Sequence, residues 1–182
     1  MSIIKSEIGQ SLKYFTQAKE FAGEHNLLFA LVNSLASLGN VYRIKGEYDR
    51  AIEFLESSLT LAEKVGVPNT SLFIGILVLL YLDNDSREQA QQYLLRLEKL
   101  SDQLKQKPTT RIYNTAKVIM LKASGRARNR AEAELLFKKI IEESEDVEYQ
   151  FNAMLTYEEK FFSLVQLCEL YLDDLNIPII WK

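Results

Sequence analysis

Cysteine and histidine each occur once, as Cys168 and His25. A single cysteine excludes an internal disulfide framework and any cysteine-rich zinc site. A single histidine removes most metal-binding and acid–base chemistry, and no nucleophile motif accompanies it. His25 follows Glu24 and reads as an ordinary turn residue, while Cys168 sits in Leu164-Val165-Gln166-Leu167-Cys168 and reads as a small core residue. No glycine-rich phosphate loop and no Glu-x-x-His carboxylate site is present. The expectation is a non-enzyme with no cofactor and no metal. With 7 glycines and 3 prolines, turn formers are too few for a protein of many short strands. The longest apolar run, Leu72 to Leu82, is eleven residues, whereas a membrane-spanning helix needs about 20. No signal-peptide core or lipidation signal stands at either end. Lys and Arg number 22 against 25 Asp and Glu, without the cationic excess that phosphate neutralisation requires. The expectation is a cytoplasmic protein with neither nucleic acid nor membrane as partner.

What is present is a chain of 182 residues, 47% apolar and 26% charged. That suits one ordinary folded domain or a short repeat array. Internal similarity is the strongest signal. Ser11, Tyr14, Phe15, Ala18, Phe21 and Ala22 align with Ala51, Phe54, Leu55, Ser58, Leu61 and Ala62 at an offset of 40. A further shift of 39 brings Ala90, Tyr93, Leu94 and Leu97 into the same slots, and one of 43 brings Ala133, Leu136, Phe137 and Ile140.

Between these segments lie others with helical spacing, such as Leu35, Leu38, Val41 and Tyr42. Turn chemistry marks the breaks: Gly46, Gly66 to Asn69, Asp83 to Ser86, Pro108, and Ser124-Gly125. Asp49 and Ser86 stand where helix N-caps belong. The chain therefore reads as a single all-α domain, 1–182, of about eight helices in antiparallel pairs. They are a helix over 9–24, pairs over 27–65, 70–105 and 109–143, a terminal helix over 148–175 and a tail over 176–182.

Residues 32–65 resemble a tetratricopeptide repeat. That family reads Trp-x2-Leu-Gly-x2-Tyr and then Ala-x3-Phe. Here stand Leu35-x2-Leu38-Gly39-x2-Tyr42 and Ala51-x3-Leu55, with Lys45-Gly46-Glu47-Tyr48-Asp49 as the inter-helix turn. Leu35 replaces Trp, Leu55 replaces Phe, and the period is near 40 rather than 34. The small residues Gly39 and Ala51 are expected where the paired helices cross, with Tyr42 and Leu55 filling the gap beside them. Gly46 is expected to end the first helix with a positive φ.

The resemblance implies a right-handed superhelix of helix pairs whose concave groove, lined by the first helix of each pair, binds a peptide or helix of another protein. The groove positions would be Asn33, Ala36, Asn40, Arg43 and Ile44 in the first full pair and Leu72, Gly75, Leu79, Leu82 and Asp83 in the second. Asn40 offers an amide to a peptide backbone, and Arg43 a fork for a carboxylate. Ala36, Ile76 and Leu79 do not suit a carboxylate clamp of the chaperone-binding kind.

Helix 70–82 is apolar all round and should be buried all round. In an open array one face would be left bare, for a partner, a second copy or the chain's own tail to cover. The basic residues Lys117, Lys122, Arg126, Arg128 and Arg130 read as a solvated helix end, neutralised by Glu142, Glu143, Glu145, Asp146 and Glu148. The first helix lacks its own pairing helix, and the tail is apolar at Ile177, Ile179, Ile180 and Trp181, so self-association or membership of a longer array is also expected. The leading expectation is an interaction scaffold; the alternative is a sensory or regulatory repeat segment of a larger signalling or transcription-regulating protein.

Overall fold

The computed structural model describes residues 2–68 and 70–143. Every regular element among them is an α-helix: α1 Ser2–Glu24, α2 Leu28–Ile44, α3 Tyr48–Val65, α4 Thr70–Asp83, α5 Arg87–Leu104, α6 Lys107–Ala123 and α7 Ala127–Glu143. The expected terminal helix over 148–175, the tail and Cys168 lie outside the described residues. The chain divides into two compact units, Met1–Thr109 and Thr110–Lys182, with the boundary inside α6.

The turns follow one rule. Each of the first six helices is followed by a residue with positive φ: Asn26, Gly46, Gly66, Asp85, Lys105 and Gly125. These six stand 19 or 20 residues apart, so half of each repeat is one helix plus one left-handed stop. At four of the stops the chain closes the same double hydrogen bond. Leu27, Glu47, Val67 and Ser86 donate N–H to the carbonyls of Ala22, Tyr42, Ala62 and Tyr81 at 2.7–3.0 Å. This satisfies carbonyls that a helix end leaves bare and turns the chain back on itself. Gly46, at φ 75°, ends α2 as its sequence context predicts. Pro108 instead lies in the first turn of α6, where its missing N–H leaves no bond unmade; the break comes at Lys105-Gln106.

In the first unit, successive helices α1 to α5 pack on one another. At the α2–α3 crossing, a Cβ added to Gly39 would stand 2.7 Å from Leu55 Cγ and 3.1 Å from the Ala51 carbonyl oxygen. Only glycine permits this approach. Ala51, Leu55 and Ala62 of α3 are fully buried, as are Val32 and Leu38 of α2. Ser58 is also fully buried and donates its hydroxyl to the Val32 carbonyl at 2.9 Å. The Tyr42 ring stacks on Phe54 at 5.4 Å, and Lys19 Nζ of α1 stands over the Phe54 ring, 5.7 Å from its centroid.

Two expectations are corrected here. Asp49 does not cap α3: Glu47 holds the N-cap position, and Asp49 lies in the first turn. There its carboxylate favours the positive end of the helix dipole and accepts Asn84 Nδ2–H at 3.2 Å. Ser86 does hold the N-cap position of α5, but its hydroxyl donates to the Asn84 carbonyl instead. Helix α4 does not leave a bare apolar face either. Phe73, Ile74, Leu77, Val78 and Leu80 are buried, and among its large apolar residues Leu72 alone, at 50%, is strongly exposed. The reason is that α3 and α5 both pack on α4, leaving a narrow strip in which Ile76, Leu79 and Leu82 are half-buried.

Polar contacts join α3, α4 and α5 at one point. Tyr81 and Tyr93 both donate to Glu56 Oε1, at 2.7 and 2.8 Å, and their rings stack at 5.4 Å. Desolvation and the neighbouring Glu56 carboxylate raise both phenols, that of Tyr93 to about 12.

In the second unit, Val118 of α6 packs with Ala133, Phe137 and Ile140 of α7, flanked by Leu121 and Leu136. Ser124 organises the turn between the two helices, donating to the Leu121 carbonyl at 2.7 Å and accepting Asn129 Nδ2–H at 2.8 Å. Of the basic run, Lys117 pairs with Glu132 at 3.4 Å, while Arg126 and Arg128 are exposed. Glu145, Asp146 and Glu148 lie outside the described residues.

Candidate partner-binding face

The solvent-facing stripe of α2 follows from its helical period. Phe29, Asn33, Asn40 and Ile44 recur at four, seven and four residues and so share one face. Phe29 and Asn33 are exposed, Asn40 is half-buried and Ile44 is 68% exposed. Ala36, on the edge of this stripe, is buried, and it contributes closeness of approach rather than contact area. Arg43 is half-buried at the last turn.

The corresponding stripe of α4 is Leu72, Ile76, Leu79 and Asp83, at intervals of four, three and four. Gly75 is buried and Leu82 half-buried beside it. Gly75, expected to line this face, is buried, and Ile76, weighed only against a carboxylate clamp, is half-buried on it. Sequence reasoning passed over Phe29, although that residue stands one turn before Asn33 and the signal was available in the spacing.

The two stripes meet electrically at one end. Desolvation raises the Asp83 carboxyl above its ordinary value, and the positive charge of Arg43 on α2 acts in the opposite direction. Arg43 and Asp83 therefore lie within electrostatic reach across the two first helices. The arrangement offers amides at Asn33 and Asn40, an opposed charge pair at Arg43 and Asp83, and an apolar strip at Leu72, Ile76 and Leu79. It can hold a backbone by its peptide groups and bury apolar side chains beside them.

Elsewhere in the first unit, a cleft of about 210 Å3 is lined by Glu63, Thr70, Ile74, Arg96, Lys99, Leu100 and Gln103. Arg96 is already committed to Glu63 across α3 and α5. Among the described residues, no group of three or more His, Cys, Asp or Glu is placed to hold a metal ion. No described helix is long and apolar enough to cross a membrane.

The sequence model of the tetratricopeptide repeat matches residues 34–68, which comprise most of α2 and all of α3. No curated protein and no solved structure gives a significant match to the chain. Residues 34–68 thus form a tetratricopeptide repeat, every regular element among the described residues is a helix, and such repeats are in general protein–protein interaction modules.

Proposed function

We propose, starting from the tetratricopeptide repeat at residues 34–68, that the chain is a non-catalytic adaptor of the cytoplasm. It holds an extended or helical segment of another protein on the face shared by α2 and α4. The observation that carries this reading is the exposure of Phe29 and Asn33 on α2 and of Leu72 on α4, with Asn40, Ile76 and Leu79 half-buried beside them; the charge of Arg43 is felt at Asp83. Asn33 and Asn40 supply donors and acceptors for a peptide backbone. Arg43 takes a carboxylate of the partner. Leu72 and Leu79 receive apolar side chains. Ala36, Gly75 and Leu82 support this face from beneath or beside it.

The test starts from peptides selected from a random displayed library against the whole chain. Binding is then measured by calorimetry on wild type and on the Asn40→Ala, Arg43→Ala double variant. Removing hydrogen bonds to a charged or amide group costs about 1–3 kcal/mol, so affinity should fall roughly tenfold or more while the melting transition stays in place. Selected peptides that bind the double variant as tightly as wild type would place the contact on another face.

A further inference from the structure

Helices α3 and α5 both pack on α4 and reach each other through side chains. Glu56 accepts from Tyr93, and two turns further along α3 Glu63 pairs with Arg96. The cleft of about 210 Å3 opens beside this second contact. To that pair its polar lining adds Thr70, Lys99 and Gln103, while its apolar lining is Ile74 of α4 and Leu100 of α5. The α5 residues stand three and four apart, at 96, 99, 100 and 103, and so share one helix face.

The polar groups fall into two sets. Glu63 and Arg96 hold each other through Glu63 Oε1 and Arg96 Nη2. Among the described residues, the side chains of Thr70, Lys99 and Gln103 make no hydrogen bond or ion pair. An ammonium, a hydroxyl and an amide therefore line one cleft with no protein group to satisfy them. Ile74 is 1% exposed and forms the floor, whereas Lys99 and Gln103 are exposed at the rim.

Charge sets the class of the occupant. Two cations and one carboxylate leave the cleft with one positive charge in excess. A monoanion cancels that charge, and an amine would add to it. A dianion such as phosphate would overshoot it and gain nothing from Ile74 and Leu100. Size bounds the occupant as well. An apolar cavity of about 150 Å3 holds a benzene ring, so this cleft has room for one ring or branched chain with a carboxylate attached.

We propose that the cleft between α3, α4 and α5 binds a small monocarboxylic acid with a compact apolar body. Lys99 and Gln103 hold the carboxylate at the rim, and the ring or branched chain lies on Ile74 and Leu100. This site is separate from the α2–α4 face. Ile74 stands two residues, about 200° of helix rotation, from both Leu72 and Ile76, so α4 turns opposite sides to the two. A small acid and a segment of a partner protein can then be held at the same time.

Amide NMR shifts of the whole chain, titrated with sodium benzoate and separately with sodium isovalerate, test this. The expected result is saturable millimolar binding that moves the signals of Thr70, Ile74, Lys99, Leu100 and Gln103 together. Benzyl alcohol and benzylamine, which carry a ring without the negative charge, should bind about tenfold more weakly than benzoate or not at all. Lys99→Met keeps the side-chain stem at an exposed position and removes its charge. It should weaken benzoate about tenfold with the rest of the spectrum unchanged, while Lys99→Arg should retain binding. Shifts that fail to saturate with both acids, or that scatter over the surface, overturn the proposal. So does benzylamine binding as tightly as benzoate, or an undiminished benzoate affinity in Lys99→Met.

Discussion

Gly39 of α2 and Leu55 of α3 are placed so that the glycine leaves no room for even a methyl group: an added Cβ would stand 2.7 Å from Leu55 Cγ. Leu55 is fully buried and meets that Cβ with a branch point rather than a flexible tip. Gly39→Ala should therefore destabilise the fold. Helix propensity favours alanine by about 1 kcal/mol, and overpacking against a buried branch point costs about 1–3 kcal/mol, for a net loss of up to about 2 kcal/mol. Denaturant unfolding of Gly39→Ala, of Leu55→Ala and of the double variant checks this. The double variant should lose less than the sum of the two singles.

Glu56 accepts from two tyrosines of two different helices. Glu56→Ala removes the shared acceptor and should cost about 1–3 kcal/mol. The same cluster sets an alkaline limit. The folded phenols are raised, Tyr93 to about 12, so the unfolded chain releases these protons first. The stability they contribute is fully present below the unfolded value of about 10 and is lost as pH rises from there. Tyrosinate absorbance should show two late-titrating tyrosines. Glu56→Gln should bring them down only partly, because desolvation is the larger cause.

Asp83 behaves in the same sense at acid pH. Burial raises its carboxyl above the ordinary value, despite Arg43. Its contribution is present below the unfolded carboxylate value of about 4 and is lost as pH rises through the folded value. Asp83→Asn should flatten that part of the stability-versus-pH curve. Arg43→Ala should steepen it, since the opposing charge is gone. Denaturant midpoints measured across the acid range provide the check.

Lys105 ends α5 in the left-handed conformation, at φ 49°. A side chain there costs about 1–2 kcal/mol, part of which glycine returns through a more flexible unfolded chain. Lys105→Gly should stabilise by about 0.5–1 kcal/mol, while Lys105→Val, β-branched at positive φ, should destabilise. Thermal unfolding of the two variants should move in opposite directions from wild type.

Much of this architecture was legible before any coordinates. Gly39, Ala51 and Leu55 stand in a spacing whose meaning is steric, and Gly46 stops a helix for a local reason. At Asn26 and Lys105 the breaks follow from the spacing of the helical segments, but the positive φ there was not legible, because neither has the glycine that advertises it. On α2 the polar Asn33 and Asn40 mark a side turned to water, and Asn33 is exposed and Asn40 half-buried. On α4 every side is apolar, so the pattern carries no phase, and Gly75 is buried.

The sequence by itself determined the helices, their 20-residue half-repeat and the small residues at the α2–α3 crossing. These depend on periodicity and on backbone sterics that act within a few residues. The tertiary structure alone decided the rotation of α4, exchanging Gly75 for Ile76 on its outer face, since one residue turns a helix by about 100°. It alone joined Glu56 to Tyr81 and Tyr93 and set Arg43 within reach of Asp83. Those outcomes depend on which neighbour packs against each face, and that is set by residues far apart in the chain.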